Sequence, residues 1–184
     1  MRAFIAVEFD QAIRERLAEA ATRLRATSTG VKWVSPEQMH LTLKFLGEVE
    51  ESAADEVAVV MAEAVAGIAP FEVRVSGLGA FPPQGAPRVV WAGLDDSANH
   101  LKRLHVRLDS GVAELGVERE GRPFTAHLTL GRVKDPRASQ GVRAAIEREA
   151  AADFGVQRVE ELVLFQSVLS PSGPIYTPLR RQRL

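Results

Sequence analysis

The chain has 184 residues, 46% of them hydrophobic and 26% charged, and 23 Lys plus Arg against 24 Asp plus Glu leave a formal net charge of -1. That length and balance fit one globular unit with a sizeable core and exclude a disordered chain, a fibre or a broad basic nucleic-acid grip. Zero cysteines exclude disulfides and thiolate chemistry. No apolar run reaches the ~20 residues that span a bilayer, and Met1 to Asp10 alternates apolar with polar residues rather than forming a signal-peptide core. A cytoplasmic protein is expected.

The alternation of Arg2 to Phe9 predicts a strand, followed by a helix from an Asp10 cap to about Arg25, with Ile13, Leu17, Ala20, Ala21 and Leu24 on one face. Val31 to Val34 is a short extended piece, Ser35-Pro36-Glu37 a turn, Met39 to Leu46 a strand and Glu51 to Ala66 a helix. Strands follow at Phe71 to Leu78 and Arg88 to Leu94, then a helix from a Ser97 cap to Leu115. Phe124 to Val133 is a strand, Ala138 to Ala152 a helix, and Val159 to Leu169 with Ile175 to Leu179 a closing hairpin. Strands outnumber helices and several are hairpin-linked. The reading is therefore α+β with mainly antiparallel sheets, and residues 1–184 form one domain, since no Ser/Gly-rich or charged linker divides it.

One repeat outweighs the rest. His40-Leu41-Thr42-Leu43 recurs as His127-Leu128-Thr129-Leu130, and two of the chain's four histidines sit in the copies. Side chains alternate across a strand, so each copy presents an imidazole and a hydroxyl on one face and two leucines on the other. Two imidazoles with unperturbed pKa near ~6.5 can act as general base and general acid. Two threonine hydroxyls can donate to phosphoryl oxygens without adding charge. Base, acid and two neutral donors suit in-line displacement at phosphorus with no metal. No His-Glu-x-x-His and no carboxylate within either tetrad suggests a metal centre.

Strict alternation puts Lys44 on the face of His40 and Thr42, and puts Arg132 on the face opposite His127 unless Gly131 forms a bulge that turns it back. Tyr176, after Gly173-Pro174, borders the cleft or fills a hairpin core. His100 and His105 lie five apart in one helix, match no partner motif and are expected to be replaceable at little kinetic cost. Trp33 and Trp91 read as core or wall residues, and Arg180, Arg181 and Arg183 as a solvated or RNA-touching tail.

With both tetrads in view, the sequence resembles the two-histidine phosphoesterase superfamily, in its branch of RNA 2′,3′-cyclic phosphodiesterases historically called 2′-5′ RNA ligases. Beyond the tetrads, the resemblance rests on Arg2 to Glu8 (RAFIAVE), Trp33 to Val49 (WVSPEQMHLTLKFLGEV), Phe124 to Val133 (FTAHLTLGRV) and the ending around Gly173-Pro174 and Tyr176. It implies a bilobal, pseudo-twofold fold of two antiparallel sheets with helices outside and a site between the lobes. By that similarity His40 is the proton donor, His127 the proton acceptor, and Thr42 and Thr129 bind phosphate; by their positions Lys44, Arg132 and Tyr176 are substrate-binding candidates. The implied reaction opens a terminal 2′,3′-cyclic phosphate to a 2′-phosphomonoester, and an RNA 5′-hydroxyl in place of water gives ATP-independent 2′-5′ ligation. The implied partner is RNA with a cyclic phosphate end, tRNA fragments included, acted on by a monomer without metal, nucleotide cofactor or membrane. A small cyclic phosphate substrate, RNA binding without turnover, and a metal-dependent phosphoesterase are the alternatives.

Overall fold

In the computed structural model, residues 1–135, 137, 139–171 and 173–184 are described; Ala138, where the fourth helix is expected to begin, lies outside them, as does position 172 in the closing turn. The order is β1 (Arg2–Glu8), α1 (Gln11–Thr27), β2 (Val31–Trp33), a 3-10 turn (Pro36–Gln38), β3 (His40–Glu48), α2 (Ala53–Val65), β4 (Phe71–Phe81) and β5 (Val89–Asp95). Then come α3 (His100–Glu114), β6 (His127–Val133), α4 (Ser139–Arg148), β7 (Asp153–Val159), β8 (Glu161–Ser170) and β9 (Gly173–Arg183). One sheet runs β3-β1-β8-β9 and the other β2-β6-β5-β4-β7, every pairing antiparallel. The α+β expectation holds.

The halves exchange strands. β4, from the first half, sits between β5 and β7, while β8 and β9, from the second, extend the sheet of β1 and β3. One core cluster runs through both sheets and all four helices, with Ile5, Leu17, Met61, Leu104 and Leu164 fully buried. Each helix contributes an apolar stripe at three- and four-residue spacing, as in Leu101, Leu104, Leu108 and Val112 of α3. No helix among the described residues is long and apolar enough to cross a membrane.

Four local readings need correction. β7 was not expected, because Gly155 at φ +107 breaks its alternation and a polar residue, Gln157, occupies a buried position. Gln157 is satisfied there, accepting from the Asp10 backbone N–H and donating to the Arg158 carbonyl. Asp10 precedes α1 but its side chain caps nothing. The cap of α3 is Asn99 in the left-handed region, not Ser97, and the Asp96 carboxylate takes the Leu101 N–H at 2.6 Å. The basic tail is also no free terminus: it is part of β9, with Arg180 paired to Asp55 and Arg181 to Glu8 and Glu161.

Trp91 lies flat over Gly79, its cross-strand partner. A Cβ at Gly79 would meet the indole carbons Cη2 and Cζ2 at 2.3 Å. Gly79→Ala should therefore destabilise by about 1–3 kcal/mol through overpacking, read as a lower denaturant midpoint at unchanged slope. An unshifted midpoint would show that the ring has room to move.

Candidate active site

Both tetrads lie in strands as expected, His40 to Leu43 opening β3 and His127 to Leu130 opening β6. Leu41, Leu43, Leu128 and Leu130 are buried in the shared core. That anchorage leaves His40 with Thr42, and His127 with Thr129, on the opposite, partly open face of each strand. The two histidines sense one another, since charge on His127 disfavours charge on His40.

The rings are held in matching ways. Nδ1 of His40 bonds the carbonyl of Gln38, and Nδ1 of His127 the carbonyl of Thr125, each two residues upstream at 2.7 Å. A carbonyl only accepts, so Nδ1 of each ring carries the proton and Nε2 is the atom left for chemistry. His40 stacks on Phe4 at 4.8 Å and meets the edge of Tyr176 at 5.1 Å. His127 meets Phe81 edge-on at 5.0 Å. Burial among these rings pushes His40 down to about 4, against the opposing pull of the Gln38 carbonyl and the Glu8 carboxylate. Burial also lowers His127; the Thr125 carbonyl opposes this and the Arg132 guanidinium adds to it. The surroundings are therefore unlike: a carboxylate acts on His40 and a guanidinium on His127.

A bulge follows each tetrad and decides where the next side chains go. In β3, Thr42 pairs with Ala6 and Lys44 with Ile5, so Leu43 is the extra residue. Lys44 then faces the core with Ile5 rather than the cleft with His40. Its side chain is 4% exposed, and its amine bonds the Asp109 carboxylate and the Glu118 carbonyl, both at 2.6 Å. The expected placement of Lys44 beside His40 and Thr42 is thus corrected, because strict alternation does not survive the bulge. In β6, Thr129 pairs with Trp91, Gly131 with Val90 and Arg132 with Val89, so Leu130 is the extra residue. Gly131 takes the core-facing position, where a Cβ would strike Val31 at 2.7 Å, and Arg132 returns to the face of His127 and Thr129.

The same parity brings in residues the sequence reading did not single out. Phe45, five residues after His40 as Arg132 is after His127, returns to the cleft face, 6.0 Å from Phe4 and 55% exposed. Lys32 pairs with Arg132 across β2 and β6, and Glu8 pairs with His40 across β1 and β3. The equal offset of Phe45 and Arg132 is legible once the repeat is seen; the other two need the strand register. Tyr176 does border the site, against both His40 and Phe4. Burial raises its hydroxyl pKa, with Arg132 and Arg2 pulling the other way. His100 is elsewhere, stacked on Phe71 at 4.5 Å near Asp96.

Two antiparallel sheets, each presenting a His-x-Thr pair after a strand exchange between repeated halves, are the architecture of a two-histidine phosphoesterase. The family model described as LigT like Phosphoesterase matches twice, over residues 7–91 and 93–176, one match per half. A protein of Archaeoglobus fulgidus named RNA 2′,3′-cyclic phosphodiesterase is 40% identical over 180 residues, covering 98% of each chain. A Methanothermobacter thermautotrophicus protein of the same name is 36% identical, covering 100% of this chain and 99% of its own. Among solved structures, a Thermus thermophilus protein superposes with TM-score 0.83 at 36% identity, covering 100% of this chain and 98% of its own. E. coli LigT complexed with 3′-AMP superposes at 0.78 with 25% identity, covering 100% and 97%. The chain belongs to the LigT-like phosphoesterase family and is an enzyme of that class.

Proposed function

We propose that the chain hydrolyses RNA 2′,3′-cyclic phosphate ends to 2′-phosphomonoesters, as the names of its relatives suggest. The observation that carries the reading is the pair of imidazoles, each with Nδ1–H tied to a carbonyl at 2.7 Å and each two residues from a threonine on its own face. His127 Nε2 takes a proton from water as the oxygen attacks phosphorus. His40, protonated on Nε2, gives its proton to the departing 3′-oxygen, and Thr42 and Thr129 donate to the non-bridging oxygens. Burial holds the free His40 down at about 4, so the division of labour rests on the charges around each ring and on the bound substrate. Glu8 beside His40 favours an imidazolium, and Arg132 acting on His127 favours a neutral ring. The anionic substrate adds negative charge next to His40 and raises it from that lowered value. An RNA 5′-hydroxyl replacing water gives a 2′-5′ linkage by the same proton transfers.

Incubation of pure protein with a short RNA ending in a 2′,3′-cyclic phosphate, in excess EDTA, tests both substrate and metal independence. A 2′-phosphate product is expected; conversion of cyclic mononucleotides alone would move the reading to a small substrate, and dependence on added metal would overturn the two-histidine mechanism.

The pH dependence has a definite sign. Both histidines are lowered from the ordinary value of ~6.5, and the free protein keeps His40 largely protonated only below about 4. Since kcat/KM reports the free enzyme and kcat the substrate complex, kcat/KM should be bell-shaped with its maximum on the acid side of about 6.5, and kcat should peak at higher pH. A kcat/KM that rises steadily through the alkaline range would contradict the assignment.

A further inference from the structure

His105 was expected to be a bystander, yet it touches the strand of one tetrad and the approach to the other. Its Nδ1 bonds the carbonyl of Leu43 at 2.7 Å. Leu43 is the extra residue of the β3 bulge, whose backbone is left out of the ladder with β1. The carbonyl only accepts, so His105 donates and supplies a partner the bulge lacks. The ring also stacks on Phe124 at 4.4 Å with an interplanar angle of 12°. Phe124 directly precedes Thr125, whose carbonyl holds His127 Nδ1.

One helical turn further along α3, Asp109 makes a second connection between the same two regions. It binds Lys44, the residue after the bulge, at 2.6 Å and the Glu120 backbone N–H at 2.9 Å, while Lys44 also holds the Glu118 carbonyl. Residues 117–126 have no helix or strand of their own among the described residues. The segment that delivers His127 is therefore clipped to the bulge behind His40 at two points, one ionic and one through His105.

We propose that His105 is a positioning residue that couples the two tetrads, fixing the Thr125 carbonyl, and through it the His127 ring, to the bulge that ends the first tetrad. This rests on the acid–base role given above to His127. His105 touches no reacting atom, so its loss should misplace the base rather than weaken substrate binding.

The test compares wild type, His105→Ala, His105→Asn and Phe124→Leu on RNA ending in a 2′,3′-cyclic phosphate, with thermal midpoints and the imidazole nitrogen-15 NMR signals of His127 recorded for each. His105→Ala should lower kcat about tenfold to a hundredfold, as expected for a misplaced catalytic group. KM should stay within about threefold. His105→Asn, which keeps a donor for the Leu43 carbonyl, should recover most of the rate, and Phe124→Leu should reproduce much of the loss. In the slow variants the His127 signals should move from one Nδ1–H tautomer toward a mixture, with no substrate present. A kcat within about twofold of wild type together with unmoved His127 signals in His105→Ala would overturn the proposal. Should that variant not fold, the same outcome in Phe124→Leu would do so. An inactive wild type would instead overturn the proposed reaction, and the His127 signals would still decide the positioning role.

Discussion

Replacing either His40 or His127 by alanine should lower kcat by about 10²–10⁴, the span of a positioned general acid or base. The double variant should lose far less than the product of the two single losses, because acid and base serve one displacement. Each ring is held by a backbone carbonyl and by aromatic contacts, so removing it takes away Nε2 without breaking the strand that carries it. His100→Ala is the control. It should retain wild-type kinetics, since that ring stacks on Phe71 near Asp96 and meets neither tetrad. Steady-state kinetics on an RNA cyclic phosphate decides the matter, and a His127 variant retaining full kcat would remove the base from the mechanism.

The largest stability loss should come from Asp109→Ala. The Lys44 side chain is 4% exposed and that of Asp109 13%, so truncating the carboxylate strands a buried ammonium left with the Glu118 carbonyl among the described residues. Breaking one side of such a pair costs about 3–5 kcal/mol. Lys44→Met together with Asp109→Leu should recover much of it, because neither charge is then buried alone. The pH dependence follows from the carboxyl. Burial raises its pKa, but the Lys44 and Glu120 hydrogen bonds and the charges of Lys44 and His105 outweigh that and leave it lowered. A lowered carboxyl contributes stability that is complete above the unfolded value near ~3.9 and is lost as pH falls through the folded one. Denaturant midpoints for wild type and Asp109→Ala should thus converge in strong acid. A constant gap down to that range would mean that the pair adds nothing specific.

The two tetrads were readable because they need only local information. A scarce residue repeated in an identical setting, with period-two alternation, places imidazole and hydroxyl on one face of each strand wherever those strands end up. The helices were readable for the same reason, their stripes being periodic, as Ile13, Leu17 and Leu24 show in α1. β7 was not, since its buried Gln157 is stabilised by Asp10, a residue far away in the chain. Lys44 and Arg132 mark the boundary most clearly. Each follows its tetrad by a few residues, and alternation assigns each to the wrong face of its strand. The bulges at Leu43 and Leu130 reverse both assignments, sending Lys44 to Asp109 and Arg132 to the cleft.

The two His-x-Thr pairs and the α+β class thus follow from the sequence alone, because strand alternation and helical stripes are properties of neighbouring residues. Which charges act on His40 and His127, which strand face Lys44 and Arg132 take, and what links His105 to both tetrads were decided only in the tertiary structure. Glu8, Arg132, Lys44 and His105 acquire those roles from strand register, bulges and packing against distant elements, and a charge or hydrogen bond acts across space rather than along the chain.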